Sequence, residues 1–558
     1  MTGPFIQEQT LMNPQQPVFP PQTIPRGAKE VGPLSPDIVV HLIFFFDPSA
    51  NWHAAFAAIA RQYDLITEQM LAKAGLVSVK TTAKNVEKLF GVGLTQYSLK
   101  NRTFYASDGT PHVPQELSGV LVQVLGLHTI PVIKPVPLSQ MVAPLARPRL
   151  EALRTVAPPF NTAYTAKQLR TLYNFPSSAT GQGQKAAIII CGGGFSQSLL
   201  EGYFTSLGVG ASQPQVVPVN VLNRPAIFSS CQNLLKELYT QFGVPEPLLG
   251  PPAPPGGPTG GGGAPQPPPP SPGQQVPVSV EDIRWTIEAL MDVEILAGAA
   301  PDAELKVYVC DGSSLGAVLA LMQAFLDGAS VISCSWGEQE GAGFTSGERL
   351  TADNLLAYAG QNGCTTVVAS GNQGAQYIQY PASSPFVLSV GGTYIENATF
   401  PAINTEVVWN QQVSASSGGF STFYARPGWQ QGIGFSSVNN MRGVPDVSAN
   451  ASGQSGYWLF LGNGSGQGLN IAGCGTSAAV PLWAALILVL NQALGRRLGF
   501  INPQLYSHAS QCFNDITSGN SQIGGQVTIY QAALGWDPCT GLGTPHGQHL
   551  LDMFRGTA

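Results

Sequence analysis

Charge is scarce in this chain. Asp, Glu, Lys and Arg make up only 10% of 558 residues, and a net charge of −6 leaves no basic surplus. Neither nucleic acid nor an anionic membrane surface is therefore an expected partner. Sparse charge does not mark disorder here, because hydrophobic residues reach 44% and 64 glycines accompany them. That balance suits a large, loop-rich globular protein of two or three domains. Long apolar runs are missing as well: residues 482–490 are too short to span a bilayer and read as a buried helix. The opening MTGPFIQEQT lacks the charged and apolar regions of a secretion signal. The eight cysteines show no disulfide framework. Cys191, Cys310 and Cys334 lie in or beside apolar runs and read as buried thiols, and core packing is the expected role of Cys474. Cys512 and Cys539 either pair on oxidation or stay free.

The shortage that bears on chemistry is histidine. There are seven, His41, His53, His112, His128, His508, His546 and His549, and none lies between His128 and His508. Within that gap stands Gly475-Thr-Ser-Ala-Ala-Val-Pro481. The small residues form a turn that delivers Ser477 to the start of a buried helix, where unpaired amides and the helix dipole favour negative charge. Pro481 is expected in the first helical turn, where a missing N–H costs little. A bare Thr-Ser pair is commonly a helix cap, but the whole string is a rarer pattern and suits a nucleophile. A serine hydroxyl reacts only when a base takes its proton. Carboxylates are the better candidates for that base. Residues 285–300 have strong helical patterning that ends at Pro301, and Glu288 and Asp292, four apart, share one face. Ile287, Leu290, Met291, Val293, Ile295 and Leu296 make this helix largely buried. Two such carboxylates repel if both ionise, so one should hold a proton near neutral or acidic pH.

With these motifs on the page, the chain resembles the sedolisins, serine-carboxyl peptidases on a subtilisin-like fold that use Glu and Asp where subtilisins use His and Asp. The likeness extends to Val331-Ile-Ser-Cys-Ser-Trp-Gly337, to Tyr380 through Thr393 and to Arg442 through Asn450, and covers roughly residues 35–555. It implies an α/β catalytic domain with a mostly parallel central sheet flanked by helices, preceded by an α+β ferredoxin-like propeptide. The implied organisation is a flexible leader over 1–33, the propeptide over 34–130, a linker over 131–158 and a peptidase domain over 159–558. A Pro/Gly-rich insertion occupies 245–275. Maturation should remove roughly the first 150–165 residues.

The resemblance assigns roles. Ser477 is the nucleophile, Glu288 its base, Asp292 the residue that orients Glu288, and Asn372 the oxyanion donor. It also implies one calcium ion, held by the carboxylates of Asp515 and Asp537 and the carbonyls of Ile516, Ala533 and Gly535, an all-oxygen set that suits a hard cation. Two departures stand out. Asn372 replaces the family's usual Asp, so the donor is an amide that does not titrate. Gln197 stands where some members have a Glu extending the acid network toward Trp336. The implied partners are peptide or protein substrates and the chain's own propeptide as an intramolecular inhibitor. The expected form is an extracellular monomer that needs no membrane. An endopeptidase is the expectation; a tripeptidyl-peptidase of the same family and a catalytically impaired binding protein are the alternatives.

Overall fold

The computed structural model describes Phe19 and residues 22–100, 102–137, 140–144, 163–194, 197–206, 216–223, 279–411, 413–432, 440–462, 468–527 and 530–556. The insertion expected over 245–275 and residues 150–162 of the expected cleavage window lie outside them.

The N-terminal part is built on a four-stranded antiparallel sheet. Its strands are β2 (Val39–Phe46), β3 (Ile66–Leu71), β4 (Leu76–Thr82) and β7 (Leu121–Leu125), in the order β3-β4-β2-β7. Helix α1 (His53–Gln62) joins the first two strands, and α2 (Ala83–Phe90) follows the third. This is the βαββαβ arrangement of a ferredoxin-like domain, with the hairpin β5 (Leu94–Leu99) and β6 (Arg102–Ser107) inserted before the last strand. Successive side chains of a strand point to opposite faces, and β2 uses both. Leu42, Phe44 and Phe46 enter this domain's own core, whereas Ile43 and Phe45 enter the core of the larger body. The expected leader is shorter than 1–33, because β1 (Lys29–Pro33) pairs antiparallel with β5.

The larger body is a mixed α/β fold. Strands β9 (Lys185–Ile190), β10 (Val216–Asn220), β11 (Glu304–Val309), β12 (Val331–Cys334), β13 (Thr365–Ala369) and β14 (Leu388–Thr399) run parallel in the order β10-β11-β9-β12-β13-β14. An antiparallel strand, β15 (Ala402–Val408), and a parallel one, β16 (Val447–Asn450), both pair with β14. Runs such as Ala-Ala-Ile-Ile-Ile are buried on both faces, as a parallel sheet covered on two sides requires.

Two helices position the chemistry. Helix α3 (Val280–Ala299) starts five residues ahead of the apolar pattern because the Ser279 hydroxyl caps it, accepting the Asp282 N–H at 3.1 Å. Helix α4 (Thr476–Leu494) follows Gly475, whose φ of 87° lies in the left-handed region. The two helices pack against each other. Two expectations change here. Pro481 is the sixth helical residue, not part of the first turn, so the Ser477 carbonyl loses its ladder donor. The apolar helix is also longer than 482–490: its 19 residues, with a mean hydropathy of 1.7, are enough to cross a bilayer by length and composition, but it is mostly buried as the central core helix.

Helix α3 carries a third buried acid. Glu294 is 0% exposed, one of its oxygens accepts the Phe460 N–H at 3.0 Å, and Oε1 has no partner. Burial pushes its pKa well above the usual carboxyl range, with the Phe460 amide pulling the other way. A carboxyl whose folded pKa is raised adds stability that is complete below its unfolded pKa, about 4.3, and is lost as pH rises through the folded value. Glu294→Gln, made in a Ser477→Ala chain to prevent self-digestion, should therefore melt close to its parent at pH 4 and a few degrees above it at pH 8. Equal melting differences at both pH values would show that the fold does not raise the Glu294 pKa.

Candidate active site

Helices α3 and α4 bring Glu288, Asp292 and Ser477 together in the interior, at 2%, 0% and 2% exposure. Asp292 Oδ1 accepts the Ser335 hydroxyl at 2.9 Å. Asp292 Oδ2 and Glu288 Oε1 are both buried without a partner. Two bare acceptors on neighbouring carboxyls are satisfied by a shared proton. Burial raises the pKa of Asp292 well above the carboxylate range, the Glu288 charge raises it further, and the Ser335 hydroxyl lowers it. Glu288 is also raised by burial, and the Ser477 hydroxyl is the group that lowers it. No cation contributes to either shift. Ser477 Oγ also lies 3.4 Å from the Ser335 carbonyl, long for an O–H···O bond, so the hydroxyl is loosely held.

Asn372, after β13, is oriented by Thr476. Its Oδ1 accepts both the Thr476 N–H and the Thr476 hydroxyl at 2.9 Å, which fixes the amide so that Nδ2 is its outward donor. Nδ2 and the Gln140 carbonyl are 3.4 Å apart. The small cavity here is lined by Ser477, Glu288, Asn372, Trp285, Trp336 and Lys134, among others.

The chain's own linker runs through this cleft. Its Lys134 N–H donates to Glu338 Oε1 at 2.9 Å, and the Met141 carbonyl accepts the Cys474 N–H at 2.7 Å. Strand β8 (Val142–Pro144) then pairs antiparallel with the strand Gly468–Gly473 that leads to the nucleophile turn.

Asp515 and Asp537 both bind the loop that follows residue 532. Asp515 Oδ2 accepts the Gly535 N–H at 2.8 Å, and Asp537 Oδ2 accepts the Ala533 N–H at 3.1 Å. Asp537 is 2% exposed, and its Oδ1 accepts the amides of Cys539 and Thr540. Burial raises its pKa to about 6, against the pull of those amides. Ile516 is buried beside Cys539. Among the described residues no group of three or more His, Cys, Asp or Glu side chains is arranged for a metal; the expected set has two carboxylates and otherwise main-chain carbonyls.

Other expectations resolve differently. Gln197 accepts the Val216 N–H at 3.4 Å, while the Trp336 indole donates to the Ile189 carbonyl at 3.0 Å, so these bonds do not join Gln197 to Trp336. Cys512 and Cys539 are free thiols, directed at the His549 carbonyl and the Ser521 hydroxyl. Ser335 and Thr476 are the site residues that sequence reasoning missed. Both lie inside quoted motifs, but nothing in their spacing ties a serine after β12 to a carboxyl on α3.

Comparisons with known proteins bear on the family and the fold. Residues 45–130 match the family model "Pro-kumamolisin, activation domain", and residues 286–505 match "Subtilase family". Kumamolisin from Bacillus sp. (strain MN-32) is 33% identical over 90% of this chain and 83% of its own length. Sedolisin from Pseudomonas sp. (strain 101) is 26% identical over 89% and 78%. Tripeptidyl-peptidase SED1 from Arthroderma otae is 30% identical over 40% of each chain. The solved Pseudomonas sedolisin, complexed with pseudo-iodotyrostatin, superposes with a TM-score of 0.53 at 24% identity, covering 71% of this chain and 99% of that one, a likeness of fold.

The Asn372 environment predicts a pH effect. In Asn372→Asp the two Thr476 donors would favour the ionised carboxylate, which cannot donate. The alkaline limb of peptide hydrolysis should fall by about one to two units and the acid limb should stay. Superimposable pH profiles would assign the alkaline limb to another group.

Proposed function

The chain belongs to the sedolisin family of serine-carboxyl peptidases, and from that premise we propose that Ser477, Glu288 and Asp292 form its catalytic triad, with Asn372 as oxyanion donor, in an endopeptidase zymogen that removes its own propeptide. The observation that carries this reading is the cation-free pair of buried carboxyls, with bare oxygens, beside the Ser477 hydroxyl. With one proton on the pair, Glu288 is the base. Ser477 Oγ attacks the peptide carbonyl carbon, and its proton passes to Glu288. The oxyanion that forms is within the reach of the Asn372 amide. Glu288 returns the proton to the leaving amine as the C–N bond breaks. Water then attacks the acyl-enzyme, giving its proton to Glu288, and Ser477 is regenerated.

An endopeptidase is favoured because an internal segment of the chain reaches the cleft: Lys134 and Val136 line the cavity, and the Met141 carbonyl accepts the Cys474 N–H ahead of Ser477. A site that holds the middle of a chain suits an endopeptidase, whereas a tripeptidyl-peptidase must close one end after three residues. The same path accounts for the propeptide as an intramolecular inhibitor. Ser477→Ala and Glu288→Gln should each lower hydrolysis of a quenched peptide by about 10³-fold or more, non-additively when combined. Near-wild-type turnover by Glu288→Gln would overturn the carboxyl base.

A calcium ion fits the 515–537 region. Asp537 is a buried carboxylate bonded only to amides and a hydroxyl, with no cation among the causes of its shift, and the remaining donors are oxygens. Asp515 and Asp537, with the carbonyls of Ile516, Ala533 and Gly535, would hold it, and it would brace the C-terminal loops. A chelator should lower the melting temperature of the Ser477→Ala chain, and Asp515→Ala or Asp537→Ala should remove that response. Identical melting curves with and without chelator would exclude a bound ion.

A further inference from the structure

Ser335, directly after β12, touches both halves of the proposed triad. Its Oγ lies 2.9 Å from Asp292 Oδ1 and 3.2 Å from the Ser477 carbonyl oxygen, and its own carbonyl faces Ser477 Oγ. In an uninterrupted helix the Ser477 carbonyl would accept the N–H of residue 481. Residue 481 is proline, so a buried carbonyl lacks its ladder donor and Ser335 is the group that reaches it. A hydroxyl has one hydrogen. It cannot serve the carbonyl and the carboxylate equally, and the charge on the acid pair decides between them.

We propose that the Ser335 hydroxyl is a hydrogen-bond switch: it bonds the Ser477 carbonyl while the Glu288/Asp292 pair is fully protonated and turns to Asp292 Oδ1 when the pair loses its first proton. When Asp292 Oδ1 carries a hydrogen, Asp292 donates to Ser335 and Ser335 donates to the carbonyl. When that proton leaves, Ser335 donates to the carboxylate. Ser335 thereby stabilises the singly ionised pair, whose remaining proton is shared between Asp292 Oδ2 and Glu288 Oε1; with that proton on Asp292, Glu288 acts as base. Its role is positioning, because it acts through Asp292. Pro481 keeps the other acceptor open and so opposes ionisation.

The groups around the pair fit this account. Cys334 on β12 and Cys474 before α4 face it, and burial raises both thiols, so they stay neutral. Lys134 from the linker lines the same cavity. Hydroxyl switching is thus the local response to charge on Asp292.

The inference rests on the triad reading, and its test separates the two. Full-length chains, after acid incubation, would be assayed from pH 3 to 8 on one quenched peptide. Ser335→Ala should move the acid limb of kcat up by about one unit, with KM within about twofold, and Ser335→Thr should restore the wild-type profile. Pro481→Ala supplies the missing N–H and removes the competing acceptor, so it should move the acid limb down. These opposite shifts would not follow from a purely structural role. Unchanged profiles, or shifts in the same direction, would overturn the switch while leaving the triad intact. Activity in Glu288→Gln would overturn the triad and the switch with it.

Discussion

Two carboxylic acids lie side by side in the interior of this protein, and among the described residues no cation offsets the rise in either one's pKa. Moving an ionised carboxylate into such a medium costs on the order of tens of kcal/mol by Born estimates, so the group holds a proton instead. Glu288 and Asp292 answer that constraint by lying one helical turn apart, with Oε1 and Oδ2 bare and Ser335 on Oδ1. The rest of the site depends on this pair. It needs α3 at the centre of the fold, a serine within reach and a supply of neutral hydroxyl donors.

The parallel sheet meets the first of these needs. The ends of β9, β12 and β13 converge where α3 and α4 cross, so Ser335, Asn372 and Ser477 arrive from three separate segments. Gly475 permits the sharp entry to α4: a side-chain carbon there would lie 2.7 Å from the Gln140 carbonyl and 2.9 Å from Asn372 Nδ2. The turn thus sets Ser477, Asn372 and the linker within contact of one another.

The N-terminal domain is bound by the same physics of alternation that builds its own core. One face of β2 closes over α1 and α2 while the other joins the catalytic core. Polar contacts add register: Arg102 meets Asp282 at the start of the helix that carries the acid pair, and His128 meets Glu348. Helix α3 and the N-terminal domain therefore share an interface, and the linker leaves that interface toward the cleft.

Much of this was legible in the sequence because short-range rules decide it. The 3.6-residue spacing put Glu288 and Asp292 on one face, the small-residue turn before Leu482 marked Ser477, and the absence of histidine from 129 to 507 pointed to a carboxyl base. Contacts between distant segments had no such signal. Ser335 reaches Asp292 across 43 positions and the Ser477 carbonyl across 142. Lys29–Pro33 became a strand only because β5 offered an edge. The proline in α4 reads from sequence as a tolerated helix start. Only packing shows that it sits a turn further in, where the missing N–H leaves a buried carbonyl for a serine on another strand. Local spacing determined which residues carry the chemistry; burial and long-range hydrogen bonding decided how their protons are arranged.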